Sequence, residues 1–136
     1  MTIGVAHQKS ASWQSTVQEA AREAQRRQTS LVVIHVAEGV DVDVNREQQA
    51  LLDEEIAEAL EEVGLQEVSW TLRVTTGEDV AEAVLDVAAD ADVELLVIGA
   101  RRRTPVVGKL LMGSVTQNII LRAPVPVLVL KPPSHG

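Results

Sequence analysis

The segment from Gly99 to Ser114 holds the residues best suited to chemistry: Gly-Ala-Arg-Arg-Arg-Thr-Pro-Val-Val-Gly-Lys-Leu-Leu-Met-Gly-Ser. An apolar run ends at Gly99, the cations Arg101, Arg102, Arg103 and Lys109 follow, and Gly113-Ser114 opens a helical pattern. Glycine lets a ligand approach the backbone closely, and the first amides of a helix attract phosphate oxygens. The segment therefore points to a phosphate-bearing ligand. It is not a Walker loop, because no Gly-Lys-Ser/Thr stands at the required spacing, and Gly-x-Gly-x-x-Gly is absent as well. The same residues also fit a purely structural role. Ser114 and Gln117 have the spacing of a capping box, and loop arginines commonly form a solvated patch. Both readings stay open at this point.

Other reactive residue types support no catalysis. His7 and His35 fall on apolar runs expected to be neighbouring strands, and His135 lies near the C-terminus. With no carboxylate at ligand spacing beside them, packed or hydrogen-bonded histidines are expected, not a metal site. Asp53-Glu54-Glu55 and Glu61-Glu62 read as the solvated face of a helix. Ser10, Ser12 and Ser114 stand at helix starts, where capping is the ordinary role, and no Gly-x-Ser-x-Gly elbow is present.

The elements that would position the loop follow from two alternating periods. Ile3–Ala6 is a short apolar strand, and Trp13, Val17, Ala20, Ala21 and Ala24 mark one face of a helix to about Arg27. Leu31–Val36 and the run through Leu95, Val97 and Ile98 are continuous rather than alternating, the pattern of strands covered on both faces. Asp41–Asn45 reads as loop. A long acidic helix from Arg46 to Val63 follows, with Leu51, Leu52, Ile56, Ala59, Leu60 and Val63 on its apolar side and Gly64 as left-handed cap. Val68, Trp70, Leu72 and Val74 alternate with polar residues, as a sheet-edge strand does. A helix through Val80, Ala83, Val84, Val87 and Ala88, another from Ser114 to Leu121, and a strand Val125–Leu130 complete the series.

Five strands alternating with four helices predict a parallel sheet covered on both faces, a flavodoxin-like, Rossmann-like α/β domain. Ligands bind such sheets at the carboxyl ends of the strands, where the strand order reverses. Residues 1–131 make one domain, and 132–136, with Pro132 and Pro133, are expected to be a flexible tail. Composition narrows the function further. Twelve Lys and Arg against 20 Asp and Glu give a net charge of -8, which disfavours nucleic acid and anionic membranes as partners. The absence of cysteine excludes disulfides and thiol chemistry, and two tryptophans as the sole Phe/Trp/Tyr residues cannot build a base-stacking platform. With no basic leader and no apolar run near the ~20 residues a membrane span needs, a cytoplasmic location is expected.

The order of elements, together with Gly99, Gly113-Ser114-Val115-Thr116-Gln117 and Ala123-Pro124-Val125-Pro126-Val127, resembles the universal stress protein family from about Thr2 to Lys131. Gly77, between third strand and third helix, matches as well. The resemblance implies strand order 3-2-1-4-5 and a non-catalytic stress-response module. In the nucleotide-binding branch it implies ATP as ligand, with Ala6, Gln8, Val36 and Ile98 around adenine and ribose. Gly99, Arg102, Gly113, Ser114 and Val115 would then line the phosphates. Arg102 stands where the motif has its second glycine, ten residues rather than nine separate it from Gly113, and Gln8 replaces an acidic residue. The resemblance further implies a homodimer through the last strand, on Val125, Val127, Leu128, Val129 and Leu130. The alternative is a family member without nucleotide that acts only through dimerisation and protein partners.

Overall fold

The computed structural model describes residues 1–8, 12–37, 42–100 and 113–131, with 42–45 as backbone alone. Nine elements follow in chain order: β1 (Thr2–His7), α1 (Trp13–Arg26), β2 (Ser30–Ala37), α2 (Val42–Glu62), β3 (Trp70–Thr76), α3 (Val80–Asp90), β4 (Val93–Gly99), α4 (Ser114–Arg122) and β5 (Val127–Leu130). The strands form one sheet in the order β3-β2-β1-β4-β5, and every neighbouring pair is parallel. The expected α/β architecture and strand order are therefore observed.

Successive side chains along each strand point to opposite faces, and each face has its own core. On one face, Ile3, Val5, Leu31, Val33, Leu95 and Val97 pack against Val17, Ala20, Ala21 and Ala24 of α1 and Leu52, Ile56 and Leu60 of α2. On the other, Ala6, Val32, Ile34, Leu96 and Ile98 pack against Ala81, Val84, Val87 and Ala88 of α3 and Ile119 of α4. The alanine-rich stripe of α1 lets that helix lie close to the sheet. Among the described residues, no helix is long and apolar enough to cross a membrane.

Several boundaries differ from the sequence expectation. Helix α2 begins at Val42, not Arg46, so part of the expected loop is helical. Helix penalties for valine and asparagine are only a few tenths of a kcal/mol each, and extending an existing helix overcomes them. Leu51 is 57% exposed, outside the apolar stripe of α2. β3 starts at Trp70 because Val68 N–H is turned back to the Leu65 carbonyl at 3.1 Å. β5 starts at Val127 because Pro126 has no N–H for the ladder and offers only its carbonyl, which accepts from Leu96 N–H at 3.0 Å. The tail at 132–136 and the caps assigned to Ser10 lie outside the described residues. Ser12 occupies the N-cap of α1, but its side chain makes no capping bond; its carbonyl accepts from Thr16 instead.

The helix-to-strand turns share one device. After α1, Gln28 N–H donates to Gln25 O at 3.1 Å and Thr29 N–H to Ala24 O at 2.9 Å. After α2, Gly64 N–H donates to Glu61 O and Leu65 N–H to Leu60 O in the same pattern. Both are Schellman caps, which need a left-handed residue just beyond the helix. Gly64 supplies it with φ 73°, whereas the first cap forces Gln28 to φ 55°; Asp92 after α3 stands at φ 57°. A side chain in this region costs about 1–2 kcal/mol, partly offset because glycine loses about 0.5–1 kcal/mol more on folding. Gln28→Gly is therefore expected to stabilise the protein by up to about 1 kcal/mol. In a urea melt this appears as a higher midpoint at unchanged slope; a lower midpoint would overturn it.

Asp79 ties the two helices of one face together. Its carboxylate accepts the Glu82 backbone N–H at 3.1 Å at the start of α3, and Arg122 Nη1 at the end of α4 donates to it at 3.0 Å. The Glu82 amide, then the Arg122 guanidinium, hold its carboxyl below the usual 3.8. A carboxyl depressed in the folded state adds stability that is present above its unfolded value and is lost as the pH falls through the folded one. Asp79→Asn, which keeps an N-cap acceptor but removes the charge, is expected to lower the Tm at pH 7. The gap to the parent should close as the pH is taken below 3.8, and a gap independent of pH would refute the assignment.

Candidate functional site

The strand order reverses between β1 and β4, whose outward connections run to opposite faces of the sheet. A cleft opens at their carboxyl ends, lined by Ala6, His7 and Gln8 of β1 and its extension, Ser12, Trp13 and Thr16 of α1, and Ile98, Gly99 and Ala100. This is the position in a parallel sheet where backbone groups at strand ends face outward and a ligand can reach them.

The two glycines singled out from sequence play different parts here. A Cβ on Gly99 would stand 2.8 Å from Thr16 Oγ1, closer than side chains approach one another. Thr16 is buried, and its hydroxyl donates to the Ser12 carbonyl at 3.2 Å, so it is held in place. Gly99 is thus required by the packing of α1 over the end of β4. Gly113 has no such internal reason. A Cβ there meets nothing within 4 Å among the described residues, and its φ of -66° and ψ of 167° suit any residue. Gly113, which has no side chain to cap with, is the N-cap of α4, and Ser114 is the first helical residue. The capping box expected from Ser114 and Gln117 is therefore not formed, because Ser114 sits one position too far into the helix to cap it. Among the described residues, nothing fills the space beside the first backbone amides of this helix, an arrangement that suits an anion.

A second pocket, open to solvent, lies under α2 against the ends of β2 and β3. Its walls include His35, Gln48, Leu51, Glu55 and Val74, and it shares His7 and Trp13 with the cleft. His7 and His35 are register partners in β1 and β2, so their side chains emerge on the same face. Their Nδ1 atoms are 3.2 Å apart, with ring centroids at 5.1 Å and planes at 73°. The His7 ring also stands 5.1 Å from that of Trp13, tilted by 56°. The two histidines expected on neighbouring strands, packed or hydrogen-bonded, are bonded to each other. Among the described residues, no three His, Cys, Asp or Glu side chains gather as a metal-binding group.

Comparison with known proteins decides the family. The profile of the Universal stress protein family matches residues 1–131. A universal stress protein of Mycolicibacterium smegmatis is 39% identical over 125 residues, covering 90% of this chain and 89% of the relative. The chain belongs to the universal stress protein family. Two structures of universal stress protein from Archaeoglobus fulgidus agree with its fold. One superposes with a TM-score of 0.75 at 29% identity, the other, a complex with dAMP, with 0.74 at 25%; each comparison covers 96% of this chain and 98% of the other.

In this universal stress protein the cleft brings together Ala6, Gln8, Ile98 and Gly99 of the residues singled out from sequence. Val36 and Val115 are half-buried on the α3/α4 face, packed against the second core. Gly113 and Ser114 stand at the start of α4, and Arg102 lies outside the described residues. Val125 and Val127–Leu130 are each half-buried, with β5 at the sheet edge. Sequence reasoning missed Trp13 and Thr16 as lining residues, whereas His7, Ser12 and Ala100 fall in the strand-to-helix loops where such a sheet opens to ligands. For Thr16 a signal existed: it is the polar residue in an otherwise apolar helical stripe, and such a residue needs a buried partner.

Proposed function

We propose that this universal stress protein is a non-catalytic cytoplasmic module that binds an adenine nucleotide, ATP in the first instance, and works as a homodimer. The observation that carries the nucleotide reading is the glycine N-cap of α4, beside which no described residue fills the space where a phosphate would approach the helix. The dAMP bound by the Archaeoglobus fulgidus relative supports an adenine nucleotide as the ligand class. Ala6, Gln8, Val36 and Ile98 would surround the base and ribose, and Gly99, Arg102, Gly113, Ser114 and Val115 the phosphates. Gln8 can hydrogen-bond ribose or base, whereas its amide cannot ligate Mg²⁺ as a carboxylate would.

The homodimer rests on β5. Its free edge runs through Val127, Leu128, Val129 and Leu130, with Val125 beside it, and an apolar edge of this kind invites pairing with another chain. Leu121 of the preceding helix is 82% exposed and adds apolar surface. A monomeric mass by light scattering at micromolar concentration would remove the dimer from the proposal.

A second reading has an observation of its own: Arg102 replaces the glycine that would let phosphates approach the backbone, which favours a protein acting through partners without nucleotide. Isothermal titration with ATP, with and without Mg²⁺, separates the two after co-purified nucleotide has been assayed. The nucleotide reading expects micromolar binding that weakens in Ser114→Ala. No heat up to millimolar ATP, with no nucleotide carried through purification, selects the partner-only reading.

A further inference from the structure

We propose that the pocket under α2 holds the base of the nucleotide, a purine, and that Trp13 is the surface on which it stacks. The inference rests on the nucleotide reading above and adds to it a base-binding residue. A nucleotide has two chemically different ends, and the molecule offers two different spaces that meet at one wall. Strand ends and Gly99 border the cleft. The pocket beside it is lined, among the described residues, by aromatic rings, by the apolar side chains of Ala37, Leu52 and Val74, and by the amides of Gln48 and Gln49. His7 and Trp13 line both spaces, so one ligand can lie across that wall with its charged end in the cleft and its flat end under α2. Glu55, an exposed carboxylate on the pocket wall, repels a triphosphate and so favours this orientation over the reverse.

Strand alternation decides which side chains the base can meet at the end of β2. His35 and Ala37 line the pocket, whereas Val36 between them packs into the core on the other face. A base that touches side chains here therefore lies on the α1/α2 side of the sheet. Trp13 supplies the largest flat surface on that side. It is half-buried in the first turn of α1, packed against the core beneath α1 and α2, with the His7 ring 5.1 Å away and tilted by 56°. A ring already fixed by packing loses little freedom when a base stacks on it. One ring suffices for one base, unlike the row of rings that a nucleic-acid strand requires. Each glutamine amide carries a donor and an acceptor side by side, the complement of the N6 and N7 edge of adenine. Stacking grows with the area of overlap, which favours a purine over a pyrimidine.

The experiment compares ligands that share one end. ATP, UTP and inorganic tripolyphosphate are titrated into the whole chain, with binding read by calorimetry and tryptophan emission followed in parallel. Trp70→Phe, a change at the amino-terminal end of the sheet, leaves Trp13 as the sole tryptophan and assigns the signal. ATP is expected to alter the Trp13 emission and tripolyphosphate to leave it unchanged. Saturation with ATP at constant emission overturns the proposal without any substitution in the pocket. Trp13→Leu is expected to weaken ATP on the order of tenfold, the effect of removing one stacking ring, and to bring ATP and UTP close together. Trp13→Phe should keep most of the ATP affinity. Losses in Trp13→Leu that are equal for ATP, UTP and tripolyphosphate would make Trp13 a residue of the fold alone and refute the stacking. ATP that binds while Trp13 stays silent sinks this inference and spares the nucleotide reading, whereas no ATP binding removes both.

Discussion

Gly113→Asp is expected to make the protein more stable and to abolish its affinity for ATP. The two effects have opposite signs because they arise from the same helix start. Aspartate is a preferred N-cap, better than glycine by a few tenths of a kcal/mol, and its charge beside the N-terminus of α4 adds about 0.3–1 kcal/mol. Among the described residues nothing opposes it sterically, and the backbone angles at this position are ordinary. Yet the new carboxylate fills the space where a phosphate would sit, with like charges a few ångströms apart. At an effective dielectric near 20 such a contact costs about 4 kcal/mol, so at least about a hundredfold loss of affinity is expected even after screening. Thermal melts and titration of the same sample check both halves. Raised stability with unchanged ATP affinity would place the phosphates elsewhere, and a loss of stability would contradict the open geometry at Gly113.

The second large effect concerns folding alone. Gly99→Ala should destabilise the protein by about 2–3 kcal/mol, the range for forcing an atom into a packed site. The new methyl would stand 2.8 Å from Thr16 Oγ1, and that hydroxyl is held by the Ser12 carbonyl. Removing the obstacle should restore much of the loss, so Gly99→Ala combined with Thr16→Ala is expected to be more stable than the sum of the single changes predicts. A denaturant-melt cycle gives the coupling directly, and strict additivity would refute the contact. The cycle also tests the packing role of this motif glycine, which admits the neighbouring helix α1.

Much of the architecture was legible because each strand's surroundings leave a mark on its own residues. Leu31–Ile34 and Leu95–Ile98 are apolar without alternation and proved to be covered on both faces. Trp70, Leu72 and Val74 alternate with polar residues and lie at the edge. Strand ends were less legible, since Val68 and Val125 are as apolar as their neighbours and only a turn or a proline carbonyl excludes them. The candidate site was legible in half. Glycine and phosphate logic located Gly99 and Gly113-Ser114, but the wall formed by His7, Trp13 and Thr16 arises from the way α1 crosses the ends of β1 and β4. No local pattern encodes that crossing. Nor could spacing show that Gly99 faces a threonine while Gly113 faces open space.

The left-handed residues Gln28, Gly64 and Asp92 all lie where helices hand over to strands, at the amino-terminal end of the sheet. The cleft is at the other end, a strand's length away, or roughly 20 Å for six residues. The molecule therefore has two poles with different tolerances. Attachment chemistry at position 28 or 92, for a tether, a dye or an immobilising tag, can be introduced at the rim opposite the cleft. A cysteine-free chain makes this practical, because a single introduced thiol would be the only one to react.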